Sequence, residues 1–420
     1  MIKTAARSLR KDLDRAGFFW IVFVLSSMFM FMFFHLAMSD AIGVTFINSS
    51  NDLPTYLTVF NVGLCIVVIF LANDFYVKKK SGDLAVILIC GGTYGQLVEF
   101  LLFQTGILMV LSIPAGIGLG YLCFPVLGML FKSMSGCEVH LSFGLQSVTL
   151  TACVIILEVF WCTMLNLGYS YRNSILTLLK GQEKIKPKTP KGLTASGFRW
   201  IYPALYFGCA ALLYTCENAP EQMVFWGFAG TAAMWGMINK TVVPWLERSV
   251  PEKWIHDGDK LVYMGLFRED LKMARLYIGL FIFTANILCA LMAGTIRNSG
   301  EFMLCLLSFA ILIPLLSLSL MFRFATEAAG RKKQFITLSR VGYTHEQLRR
   351  IKNRELLCLY GFITAVSLVY ILNILTALGI FHLIPGKIGA VIVLLFVGSM
   401  AVCGVINSIQ TGIWHNRGEN

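Results

Sequence analysis

Ten apolar runs of membrane-spanning length, separated by polar or basic segments, constrain this chain more than any other feature. They fall near 18–38, 56–72, 98–124, 147–169, 201–216, 222–239, 276–294, 302–322, 355–380 and 388–408. A bilayer core about 30 Å thick needs about 20 such residues per helix. The runs are continuous rather than alternating, and in lipid each backbone polar group must find its partner inside its own segment. An all-α polytopic membrane protein follows. The fifth and sixth runs are interrupted by Pro203, Gly208, Cys216 and Glu217, so they read either as two spans or as one re-entrant hairpin. The first run follows basic residues as a signal peptide would, but it is too long for an h-region and lacks a small-residue cleavage site, so it reads as a retained span.

Composition agrees: 57% of residues are hydrophobic and 14% charged, whereas a soluble domain carries about 25% charge. The net charge of +12 would suit nucleic acid only if it formed one patch, and it does not. With the N-terminus in the cytoplasm, 32 of the 35 Lys and Arg fall in cytoplasmic segments, leaving Lys132, Arg297 and Lys387 outside. The positive-inside rule therefore predicts a multi-pass membrane protein with both termini and the basic loop around 187–191 cytoplasmic, and the same distribution argues against nucleic acid as a partner. Basic clusters of this kind also contact lipid headgroups. The twelve cysteines lie mostly in apolar runs without zinc spacing and read as packing residues, although Cys123, Cys137 and Cys216 could face an oxidising side.

The chain repeats itself. Asp83 to Leu97 matches Gln334 to Leu348 at an offset of 251 residues: Gly91 pairs with Gly342, Thr93 with Thr344, Gln96 with Gln347 and Leu97 with Leu348. A basic triplet precedes each copy, Lys78 to Lys80 or Arg331 to Lys333, and each copy lies between the second and third spans of a four-span block. Short basic amphipathic segments, Ala5 to Arg15 and Leu266 to Arg275, open the two blocks. The predicted organisation is a four-span repeat at 1–170, a basic loop, two central spans and a linker at 171–261, and a second repeat at 262–420. In each connector an apolar helix meets a glycine break, and a threonine then caps the next helix, which runs on into the third span.

This connector resembles that of FtsX-like ABC permeases, and the ten-span layout with its duplication is most similar to bacitracin-type peptide-antibiotic transporters. The resemblance implies that the connectors hold coupling helices that dock an ABC ATPase, two copies per permease, with ATP and Mg2+ bound by that partner and no cofactor in this chain. It places ATPase coupling on Lys79, Asp83, Leu88, Gly91 and Gln96 in the first copy and on Lys332, Gln334, Leu338, Gly342 and Gln347 in the second. The glutamate usual in such connectors is Asp83 here in one copy and Gln334 in the other. The large extracellular domain of bacitracin-type permeases is replaced by a loop of only about 295–301.

No catalytic or metal motif accompanies this pattern. The P-loop signature is missing, His345-Glu346 is followed by Arg349 where a zincin would need His, and no nucleophile elbow is present. Polar candidates inside the spans are Glu158, Gln104 and Glu355. An ionisable residue there invites a functional reading. Glu158 either meets cationic cargo in a cavity or hydrogen-bonds a neighbour such as Asn61 or Gln104. Gln104 and Glu355 are equivalent in the repeats and could tie the third-type span to its neighbours. Gly116, Gly118 and Gly120 carry a weak close-packing signal, and Phe29 to Phe34 reads as lipid-facing bulk. Asp40, Asp52, Glu138, Glu217, Glu221 and Glu301 would make the outer surface mildly acidic. The function expected is a non-enzymatic permease subunit that couples a partner's ATP hydrolysis to export or removal of an antimicrobial peptide or lipid-linked substrate. The alternatives are extraction of lipids or lipoproteins, or a non-transporting scaffold that transmits motion to a sensor kinase or a cell-wall hydrolase, and a sensor kinase or an extracellular accessory protein is a further expected partner.

Overall fold

The computed structural model describes residues 13–38, 53–135, 145–172, 200–215, 220–246, 257–295, 299–330 and 332–416. Among them only helices and turns occur. Several expectations fall outside these residues: the 187–191 loop, most of Ala5 to Arg15, and Asp40, Asp52, Cys137, Glu138, Cys216, Glu217, Arg297 and Arg331.

Twelve α-helices are described: α1 (Leu13–Ala37), α2 (Leu53–Lys79), α3 (Ser81–Ile89), α4 (Tyr94–Ser135), α5 (Leu145–Arg172), α6 (Ile201–Leu212), α7 (Pro220–Met237), α8 (Gly258–Thr295), α9 (Ser299–Gly330), α10 (Lys332–Arg340), α11 (His345–Ile380) and α12 (Gly386–Asn416). Eight of them, α1, α2, α4, α5, α8, α9, α11 and α12, contain stretches long and apolar enough to cross a membrane. The two central runs are shorter. A 3₁₀ turn, Leu213–Thr215, closes α6, and a π turn, Ile238–Val242, extends α7. Leu266 to Arg275 is no separate element, being part of the 38-residue α8.

The described residues divide into two units, 1–191 with 299–308 and 192–298 with 309–420. In the first unit α1 is the hub, packed on α4, α5 and α2. Its Phe29 to Phe34 stretch was expected to face lipid, yet all six side chains are at most 3% exposed. A helix apolar on every side suits lipid or protein equally, and here protein surrounds it. The approach of α4 to α1 rests on two glycines one turn apart. A Cβ on Gly116 would stand 2.6 Å from the Ser27 Cβ and the Val24 carbonyl oxygen, and one on Gly120 would stand 2.8 Å from Phe31 Cδ1. Gly118, between them, has open space. Because lipid tails are as apolar as leucine, helices in membranes associate through such close van der Waals fits.

In the second unit α8 packs on α11 and α7, α6 packs on α7, and α11 packs on α12. The central helices thus pack with the second repeat. Gly227 of α7 leaves room for Asn286, which donates from Nδ2 to the Met223 carbonyl at 3.3 Å, and Gly236 leaves room for the Tyr202 ring. Arg275 donates to Asn239 in the π turn and stacks its guanidinium 5.0 Å from the centre of the Trp235 ring.

Replacing Gly116 with valine should wedge α4 away from α1 and lower stability by about 1–3 kcal/mol. Thermal melting of the detergent-purified protein measures this, and Gly118→Val, which meets open space, should melt like the parent.

Candidate functional site

The two connectors share one backbone design, and the repeated residues are the ones it requires. Among the described residues, Gly91 and Gly342 are the only glycines with positive φ, at 87° and 111°, a region that residues with a Cβ enter at a cost. At the end of α3, Gly91 N–H donates to the Leu88 carbonyl and Gly92 N–H to the Ile87 carbonyl, at 3.1 and 2.9 Å. At the end of α10, Gly342 N–H donates to Ser339 and Tyr343 N–H to Leu338, at 3.1 and 3.2 Å. Both are Schellman closures that satisfy the last helical carbonyls.

A reciprocal capping box opens the next helix in each copy. Thr93 N–H donates to Gln96 Oε1 at 3.1 Å and Gln96 N–H returns to Thr93 Oγ1 at 3.4 Å. Thr344 N–H donates to Gln347 Oε1 at 2.9 Å, with Gln347 N–H returning to Thr344 Oγ1 at 3.4 Å. Each box consumes two otherwise orphaned backbone donors. The result is a short helix folded back tightly on the head of a very long one, α4 or α11.

The side chains differ between copies. Leu84, Ala85 and Leu88 of α3 are buried in a cluster with Phe19, Tyr76 and Leu97. Leu88, expected on the docking face, therefore serves the interior, and the outward apolar groups are Val86, Ile89 and Tyr94 at 57%, 58% and 43% exposure. Lys80, 1% exposed, pairs its Nζ with Asp83 Oδ2 at 3.3 Å. The acidic position of the first copy is thereby joined to the third lysine of the triplet, while Lys79 is described by its backbone alone, as the last residue of α2. Lys332 likewise only opens α10. No described side chain of α10 is buried: Gln334 and Ile336 are exposed, and Phe335 and Leu338 are half-covered. Lys80, Val86 and Val341 were missed by the sequence reading. The i, i+3 spacing of Lys80 and Asp83 was the available signal for the first of them. Beside the second turn lies a polar cleft of about 500 Å³ lined by Asp257, Lys260, Gly342, Tyr343, Gln347 and Arg354, in which Lys260 bonds Asp257 at 2.6 Å.

The intramembrane candidates are internal. Glu158 is completely buried and accepts from Ser26 Oγ at 3.1 Å, so it bonds a neighbour as one reading held, but a different one. Asn61 instead donates to Ser308 at 2.9 Å, and Gln104 Oε1 accepts from Tyr76 at 3.2 Å, linking α4 to α2. Farther along the same bundle, Asn73 donates to Asn166 and Asn166 donates to Thr105, at 2.8 and 3.1 Å. Glu355 is also buried, at 4% exposure. Glu301, placed on the outer surface from sequence, is 7% exposed and adds little acidity there.

No protein-family model matches the chain. It is 25% identical over 197 residues to the ABC transporter permease protein YxdM of Bacillus subtilis strain 168, a match that takes in 45% of this chain and spans 31% of that relative. This likeness supports an ABC permease role for a multi-pass membrane chain.

Ser26→Ala removes the side-chain donor that the Glu158 carboxyl has among the described residues and should cost about 1–3 kcal/mol of stability, read by chemical or thermal unfolding in detergent. Thr344→Ala should lose about 0.5–2 kcal/mol of helix-end stability, seen as faster hydrogen exchange at residues 345–348 with exchange in α12 unchanged.

Proposed function

We propose that this chain is the permease subunit of an FtsX-like, bacitracin-type ABC transporter. A separate ATPase, two copies per permease, docks on its two connectors from the cytoplasm. The observation that carries this reading is the duplicated connector: the same Schellman closure and capping box stand at the head of equivalent long helices. A hairpin fused without a flexible joint to a transmembrane helix converts a push on its tip into displacement of the span. The partial likeness to an ABC permease supports the same conclusion.

The partner binds ATP and Mg2+ and hydrolyses the nucleotide; this chain supplies the surface that is gripped and the helices that move. The cargo is an amphipathic molecule, an antimicrobial peptide or a lipid-linked compound. Glu158 does not receive it in this conformation, because its carboxyl is enclosed and bonded to Ser26.

The test is co-purification with the ATPase encoded beside the chain. Reversing both outward faces at once, Val86→Asp with Ile89→Asp and Arg340→Glu with Arg349→Glu, should leave the permease folded but free of ATPase. An undiminished ATPase-to-permease ratio would locate the grip elsewhere.

A further inference from the structure

The two connectors have one backbone and opposite surfaces. At equivalent positions, 251 residues apart, Ile89 is replaced by Arg340, Val98 by Arg349, Glu99 by Arg350 and Phe103 by Arg354. Burial repeats closely beneath these changes: Leu97 and Leu348, Phe100 and Ile351, and Gln104 and Glu355 all face inward. Three of the four substitutions lie on the outward side in the first copy, with Ile89 and Glu99 exposed and Val98 partly so, whereas Phe103 packs half-buried against the α3 cluster and its counterpart Arg354 is exposed. In the first copy this face is apolar, with Val86 and Ile89, and its exposed charges are the acids Asp83 and Glu99. In the second, Arg340, Arg349, Arg350 and Arg354 are all exposed, with Glu346 the only exposed acid among 334–354. No described carboxylate forms an ion pair with any of these four arginines. Val341, at the tip of the turn, is 74% exposed.

Resting on the reading of the connectors as docking sites for two copies of one ATPase, we infer that they grip their copies through different chemistry: apolar contact at the first and contact with acidic groups of the ATPase at the second. Acidic groups on the ATPase are complementary to this arginine-rich face around one apolar tip, where Arg354 alone shares a cleft with carboxylates of the chain itself, Asp257 and Asp259. Lipid headgroups are the other anions within reach, and helix length argues against them. α11 has 36 residues, about 54 Å at about 1.5 Å per residue, against a hydrocarbon core of about 30 Å. If its far end stops at the opposite interface, some 24 Å of helix extends past the core, well beyond a headgroup layer of about 5–8 Å. Arg340 and Val341, folded back at the head of that extension, lie clear of the headgroups where a soluble partner binds, whereas Arg354 stands only about 9 Å past the core, at the headgroup edge. The cleft beside Gly342 adds a recess for a partner side chain.

Salt separates the two faces, since the Debye length falls from about 10 Å at 0.1 M to about 3 Å at 1 M. Full-length protein in neutral phosphatidylcholine nanodiscs is made with one face intact: Val86→Asp with Ile89→Asp keeps the second, and Arg340→Glu with Arg349→Glu and Arg350→Glu keeps the first. Binding of the ATPase encoded beside the chain is titrated at 0.05 and 0.5 M NaCl. The second face should lose affinity at least tenfold across that range, and the first should change less than about threefold. Equal salt responses overturn the inference while leaving connector docking intact. If ATPase still binds when both faces are reversed, the docking reading itself fails. Should second-face binding require anionic phosphatidylglycerol in the disc, the arginines serve lipid and the inference is also wrong.

Discussion

Everything in this molecule depends on the mismatch between its helices and its solvent. A bilayer core about 30 Å thick forces each crossing segment to satisfy its own backbone, which selects helices of about 20 residues. Three of the helices are far longer: α4 has 42 residues, α8 has 38 and α11 has 36. The surplus turns of α11 carry no proline, so a strut that starts in lipid continues into water without a joint, whereas Pro114 and Pro125 each remove one rung of the ladder within α4. In α4 and α11 the connector is folded onto the head of that strut. A shorter third-type span would leave the connector pressed into the headgroups.

Inside the lipid the hydrophobic effect no longer brings helices together, and two other devices take its place. One is the omission of side chains. Gly116 and Gly120 let α4 settle on α1, and Gly227 and Gly236 let α7 receive Asn286 and Tyr202. The other is pairing of buried polar groups, as in Ser26 with Glu158 and Asn73 with Asn166 and Thr105. Leaving such groups unpaired is expensive in this medium, so each pair also fixes the rotation of its helix.

The connectors were legible in the sequence because their chemistry is local. A glycine at positive φ and a Thr-x-x-Gln box each operate within five residues, so two copies at one spacing announced the architecture. Burial was much less legible. Phe29 to Phe34 presents the same apolar pattern whether the neighbour is a lipid tail or another helix, and only tertiary packing decides. Leu88 and Ile89 are adjacent and equally apolar, yet one turns to Phe19 and Tyr76 while the other faces out. The partner of Glu158 lies 132 residues away, beyond any pattern that spacing reveals. The likeness to YxdM reaches less than half of the chain and carries the permease role without the cargo.

The first connector helix is held by Leu84, Ala85 and Leu88 in an apolar cluster and braced by Lys80 with Asp83, whereas the second has no buried side chain among those described and Gln334 where the acid would be. Mechanically, one half of the duplication ends in a stiff coupling and the other in a compliant one. An identical force on both tips would give unequal strokes, with prompt transmission through α4 and part of the work absorbed as bending before α11 responds. In the proposed permease, this asymmetry would make the first half lead and the second trail.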